Sequence, residues 1–198
     1  MDLYKINEIF YSIQGEGARA GSANVFIRFA GCDQSCVFCD TGANTGISLT
    51  LAQVCHQVVP LLTREPRNVI LTGGEPALQY DKSFHDMLRT AGVSLIAIET
   101  NGGTRLKARV DWITCSPKVP EEQVAANFGM NGVDELKYVY EPGGLLPRPK
   151  VAADHYYLSP VFRGRCVSQE ALWQCIDLVK ANPRWKMSVQ QHKGWRVR

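Results

Sequence analysis

The sequence predicts an α/β fold, an incomplete (open) βα barrel of about six parallel strands, in a single domain over residues 1–198. Three observations lead there. Short β-branched runs alternate with stretches of helical periodicity, and parallel neighbours need such crossover connections. At 198 residues the chain falls short of the ~250 that a full eight-unit barrel takes. The polar, glycine-bearing motifs follow directly on strand ends, where sheets of this class place their sites.

Strands are expected over residues 24–29, 68–71, 93–98, 112–115, 135–140, 156–158 and 186–190, most of them rich in Val, Ile, Leu, Tyr or Phe. Leu51, Val54, Cys55, Val58 and Leu62 recur at helical spacing behind Ser48 and Thr50, which are both possible N-caps. A second helix runs over 81–90 and stops at Ala91-Gly92. Leu172, Cys175, Ile176 and Val179 form a third behind Ser168, with Gln169 and Glu170 in its first turn. Gly31-Cys32, Thr72-Gly73-Gly74-Glu75-Pro76, Glu99-Thr100-Asn101-Gly102 and Ser116-Pro117-Lys118 follow the first four strands in turn. The stretches 42–46 and 118–132 carry no motif that assigns them.

No apolar run approaches the ~20 residues of a membrane-spanning helix, and the first residues lack a secretory pattern, so a cytoplasmic location is expected. A net charge of only +3, with basic residues scattered apart from Lys193, Arg196 and Arg198, does not predict nucleic-acid binding. Seven cysteines without a leader point to metal or redox chemistry rather than a disulfide framework. Cys55, Cys115, Cys166 and Cys175 have no Cys-x-x-Cys spacing and are expected to be buried in the core.

The remaining three, Cys32, Cys36 and Cys39, stand within eight residues. Three thiolates on one loop can hold three irons of a [4Fe-4S] cubane and leave the fourth iron open to chemistry. A structural zinc site is the alternative, but such sites are closed by four ligands, and the nearest histidine in sequence is His56. Gly73-Gly74-Glu75-Pro76 allows a tight turn, and Glu75 offers an anionic acceptor suited to an ammonium group.

This cysteine spacing, with Phe38 before the third cysteine and the glycine-rich turn on the next strand, resembles the radical S-adenosylmethionine superfamily. The resemblance implies that the open iron chelates S-adenosylmethionine and that its reductive cleavage yields a 5′-deoxyadenosyl radical. At finer grain, Ser12-Ile13-Gln14-Gly15-Glu16-Gly17, Arg28, Cys39-Asp40-Thr41, the Leu71–Pro76 segment, Ser116-Pro117-Lys118 and Gln190-Gln191-His192-Lys193 resemble the 7-carboxy-7-deazaguanine synthase family over nearly the whole chain. That implies a lyase that contracts the ring of 6-carboxy-5,6,7,8-tetrahydropterin to 7-carboxy-7-deazaguanine with loss of ammonia, for queuosine and related deazapurines. In the family, hydrogen is abstracted from C6 of the pterin and later returned, which regenerates the cofactor.

The resemblance assigns the residues as follows. Phe38, Cys39, Asp40, Gly74, Glu75, Ser116, Pro117 and Lys118 would bind S-adenosylmethionine, and Thr41 would ligate Mg2+, which keeps waters and binds partly through substrate. Ile13, Gln14, Gly15, Glu16, Arg28, Thr72, Glu99 and His192 would bind the pterin, with Arg28 as a cationic clamp for its carboxylate. A homodimer and an external electron donor such as flavodoxin are implied as well. Two other functions use the same cluster motif: a glycyl-radical-enzyme activase of the anaerobic ribonucleotide reductase or pyruvate formate-lyase type, and a non-catalytic iron-sulfur or zinc module. The Gln14-Gly15-Glu16-Gly17, Arg28 and Thr41 set favours the small-molecule enzyme.

Overall fold

A computed structural model of the chain describes residues 2–37, 39 and 45–197. Its strands are β1 (Leu3–Ile13), β2 (Ala23–Phe29), β3 (Ile47–Thr50), β4 (Asn68–Gly73), β5 (Leu95–Thr100), β6 (Trp112–Cys115), β7 (Val133–Tyr140), β8 (Ala153–Pro160), β9 (Phe162–Arg163), β10 (Cys166–Val167) and β11 (Trp185–Met187). The helices are α1 (Leu51–Val58), α2 (Lys82–Thr90), α3 (Glu121–Phe128), α4 (Gln169–Ala181) and α5 (Gln191–Trp195).

Nine strands form one sheet in the order β11-β8-β7-β6-β5-β4-β2-β1-β3. From β2 to β11 every neighbour is parallel, while β1 runs antiparallel to both β2 and β3. The outermost strands β11 and β3 are not neighbours in this order, so the barrel is open, as expected. The short β9–β10 hairpin stands apart.

Helix caps follow the chemistry of their first residues. Thr50, rather than Ser48, caps α1: its hydroxyl accepts from Gln53 N at 3.3 Å while Gln53 Oε1 accepts from Thr50 N at 2.8 Å. Ser48 lies within β3. Asp81 accepts from Phe84 N at 2.9 Å to start α2, and Ser168 accepts from Ala171 N at 3.4 Å to start α4. The helical pattern to Leu62 is broken at Val58, where Pro60 enters a 3-10 turn.

Apolar residues on the helix side of the sheet fill two clusters, one around Ile27, Phe29, Leu71 and Phe84 and one around Leu136, Leu158 and Cys175. A third, smaller cluster of Phe10, Phe26, Ile70 and Ala97 occupies the opposite face. Cys115 and Cys175 are buried as expected; Cys55 is only partly buried, and Cys166 is exposed in the β10 hairpin strand, so core packing does not account for it.

Candidate active site

A cavity of about 340 Å³ opens over the carboxyl-end half of the sheet and is lined from most of its strands. Alternation explains the access. On β7, Lys137 and Val139 line the cavity while Leu136 and Tyr138 pack among the apolar residues beneath the helices. On β2, Phe26 and Arg28 do the same, with Ile27 and Phe29 in the core.

The cluster loop leaves the end of β2 and is held by the glycine-rich turn after β4. Gly74 N donates to Phe29 O and Glu75 N to Gly31 O, both at 2.9 Å. A Cβ on Gly74 would lie 2.0 Å from Gly31 O, and one on Gly73, whose φ is +113°, would lie 2.2 Å from Phe29 O. Both glycines are therefore required by close backbone approach. Cys32, Cys36 and Cys39 line the same cavity. Cys32 Sγ accepts from Gln34 N at 3.4 Å and lies 3.9 Å from Asn101 Nδ2. Amide hydrogen bonds of this kind suit a metal-bound thiolate, so the donor set fits an iron-sulfur cluster. Phe38, Asp40 and Thr41 lie outside the described residues.

Gly74, Ser116 and Lys118 also line the cavity. Lys118 Nζ donates to Ser116 O at 2.9 Å and to Ser116 Oγ at 2.7 Å. Burial, reinforced by the charge of Lys137, brings the Lys118 ammonium down to about 8. Pro117 and Glu75 are not lining residues. Glu75 was expected to offer an open carboxylate, but it is fully buried and already accepts from Ala77 N and Thr100 Oγ1 at 2.9 Å and from Asn101 N at 2.6 Å. Its carboxylate knots the glycine turn to the end of β5. Burial outweighs those bonds and pushes its carboxyl up to about 7.

Ile13, Gln14, Gly15, Glu16, Arg28, Thr72, Glu99 and His192 all line the cavity, although they come from both ends of the chain and four strands. Arg28 Nε donates to Glu8 Oε1 at 2.9 Å, across the β1–β2 register, and its guanidinium stands 5.6 Å over the Phe10 ring. That bond uses one of five N–H donors and fixes the plane of the rest. The loop after β1 meets the C-terminal segment: Gln191 N donates to Gly15 O at 3.1 Å and Gly17 N to Ser188 Oγ at 3.0 Å. A Cβ on Gly15 would come within 2.3 Å of His192 Nδ1.

Lys137 bridges Glu16 and Glu99 at 2.8 and 3.1 Å. Burial opposes ionisation of Glu16, yet Lys137, Gln190 and His192 bring it down to about 2. Sequence reasoning missed Lys137, although a lysine two positions after Glu135 on an alternating strand is a legible sign of a polar inner face. It also gave no role to Asn101, Gln190 or Lys193, whose ammonium lies 5.0 Å over the Phe162 ring at the cavity wall.

A family model for the Radical SAM superfamily matches residues 26–140. Curated relatives called 7-carboxy-7-deazaguanine synthase include one from Bacteroides thetaiotaomicron, 41% identical over 191 residues and 96% of each chain. One from Nitratidesulfovibrio vulgaris is 36% identical over 96% of this chain and 97% of its own. The crystal structure of QueE from Escherichia coli superimposes with a TM-score of 0.71 at 23% identity, covering 95% of this chain and 94% of that one, and so shares the fold. The chain belongs to the radical SAM superfamily and, within it, to the 7-carboxy-7-deazaguanine synthase family.

Proposed function

We infer that this enzyme converts 6-carboxy-5,6,7,8-tetrahydropterin into 7-carboxy-7-deazaguanine with release of ammonia, and that the product enters queuosine and related deazapurine synthesis. One observation carries the inference: a single cavity joins the three cysteines to a partly buried arginine and two partly buried glutamates. That set complements a ligand with one carboxylate and a ring edge of N–H donors. The relatives favour neither a glycyl-radical activase nor a non-catalytic module.

When bound, the [4Fe-4S] cluster and S-adenosylmethionine supply a 5′-deoxyadenosyl radical. The cluster rests on Cys32, Cys36 and Cys39, with Asn101 steadying the first. Gly74, Ser116 and Lys118 hold the S-adenosylmethionine, together with Phe38, Asp40 and Pro117. Glu75 acts there through the backbone it braces. Arg28 clamps the pterin carboxylate, Gln14 and Thr72 orient the ring, and Glu16 and Glu99 accept its N–H groups, with His192 closing the wall. The cavity walls thus hold the ring in one orientation and keep water from it.

Mg2+ at Thr41, a homodimer and a flavodoxin-type electron donor belong to the same proposal. Omitting Mg2+ is expected to raise the KM for the pterin, because the metal and substrate carboxylate bind together.

The test is anaerobic incubation of reconstituted protein with S-adenosylmethionine, reductant, Mg2+ and the pterin, with product read by mass spectrometry. Product is expected from the parent and not from Cys36→Ala. Release of 5′-deoxyadenosine without product would instead point to the activase.

A further inference from the structure

Three ionisable side chains meet at the floor of the cavity. Lys137 from β7 contacts Glu16 from the loop after β1 and Glu99 from β5, and none of the three side chains is more than 22% exposed. The second oxygen of each carboxylate takes an amide: Gln190 Nε2 donates to Glu16 at 3.0 Å and Gln14 Nε2 to Glu99 at 3.1 Å. One cation between two anions leaves a net negative charge on a wall that faces the ligand.

We propose that Lys137 is a positioning residue for the substrate ring: it holds the Glu16 and Glu99 carboxylates side by side and ionised, so that their remaining lone pairs accept from the adjacent N–H donors of a 2-amino-4-oxo ring. This rests on the assignment of the cavity as a pterin site. Without the ammonium, two buried carboxylates repel and one takes a proton. The protonated one then offers a donor where the ring also offers a donor. Burial pushes Glu99 up, Lys137 pulls it back, and Glu16 and Glu135 push it up again. The other charged groups facing the triad are Arg19 from the turn after β1, Lys118 from the segment after β6, and His192 from α5. Lys137 contacts Glu99 directly, at 3.1 Å.

The sign follows. The floor accepts only while both carboxylates are ionised, so affinity is lost as pH falls through the higher carboxyl pKa. Removing Lys137 raises that pKa and moves the loss to higher pH.

The experiment measures KM and kcat for 6-carboxytetrahydropterin with reconstituted holoenzyme across the neutral range, for the parent, Lys137→Met and Lys137→Arg. Lys137→Met is expected to raise KM about tenfold or more, the worth of one charge-assisted hydrogen bond. Its acidic limb moves to higher pH, kcat changes less, and Lys137→Arg retains the parent profile. Far-UV circular dichroism and a thermal midpoint that match the parent separate this role from a collapse of the fold. A Lys137→Met enzyme with the parent's KM and pH profile, or a Lys137→Arg enzyme that fails to rescue, overturns the proposal. Should Lys137→Met not fold, Glu16→Gln is compared with the charge-balanced Glu16→Gln/Lys137→Met; an upward-shifted limb in the double variant supports the role, and identical profiles overturn it. A parent that makes no product at all overturns the pterin assignment itself.

Discussion

Glu75 sits at the centre of the site without touching its cavity, and its titration gives it a stability signature. The folded protein binds the proton of this carboxyl up to about pH 7, against 4.5 for an unperturbed glutamate. Between those values the folded state holds more protons than the unfolded chain, so stability falls as pH rises through the window, by roughly 3 kcal/mol in all. Glu75→Gln is expected to flatten that fall, as read from chemical denaturation at several pH values. Gly15 makes a second case. Gly15→Ala puts a methyl 2.3 Å from His192 Nδ1 and 2.7 Å from His192 N, and since backbone yields poorly, it is expected to cost about 1–3 kcal/mol and to raise the pterin KM. Both residues stand in motifs visible in the sequence. What the sequence did not disclose is the direction in which Glu75 points, because a carboxylate after two glycines serves equally as a ligand contact or as a brace. Only the Asn101 and Ala77 amides decide between them.

The secondary elements differ in how much of their cause is local. α1 could be read from the helical spacing of Leu51, Val54, Cys55 and Val58 behind a capping residue; Thr50→Ala is expected to lower stability by about 1 kcal/mol in thermal denaturation, with kcat unchanged. β1 escaped notice. Its eleven residues include Leu3 and Tyr11 on exposed positions, and its register slips between Ile6 and Glu8, so period-two alternation fails midway. β3 has only four residues, and its first two are exposed. α3 buries just Val124 and Phe128 and begins after Pro120 without a side-chain cap, which leaves too little periodicity to detect. β1 is the costliest omission, since it carries Phe10 and leads into the Gln14-Gly15-Glu16 loop. Its antiparallel course delivers that loop to the barrel interior, a placement that pairing alone determines.

For the molecule as a whole, the alternation of strands and helices already implied a parallel sheet left open at one edge. How the cavity is closed was not legible, because closure depends on two segments at opposite ends of the sequence: Gly17 meets Ser188 across 171 residues and Glu16 meets Gln190 across 174. Removing residues 188–198 is therefore expected to spare iron content and 5′-deoxyadenosine formation while abolishing conversion of the pterin, measured side by side by iron analysis and mass spectrometry. The same contacts bear on the order of assembly. The three cysteines are sequence neighbours on a loop braced by β4, whereas the glutamate-lysine floor awaits a pairing across 174 residues, and contacts of long sequence separation close late. A chain on its way to the native state is thus expected to form the loop that would hold the cluster before the pocket that receives the radical, and weakening the floor is expected to hasten unfolding more than it slows folding.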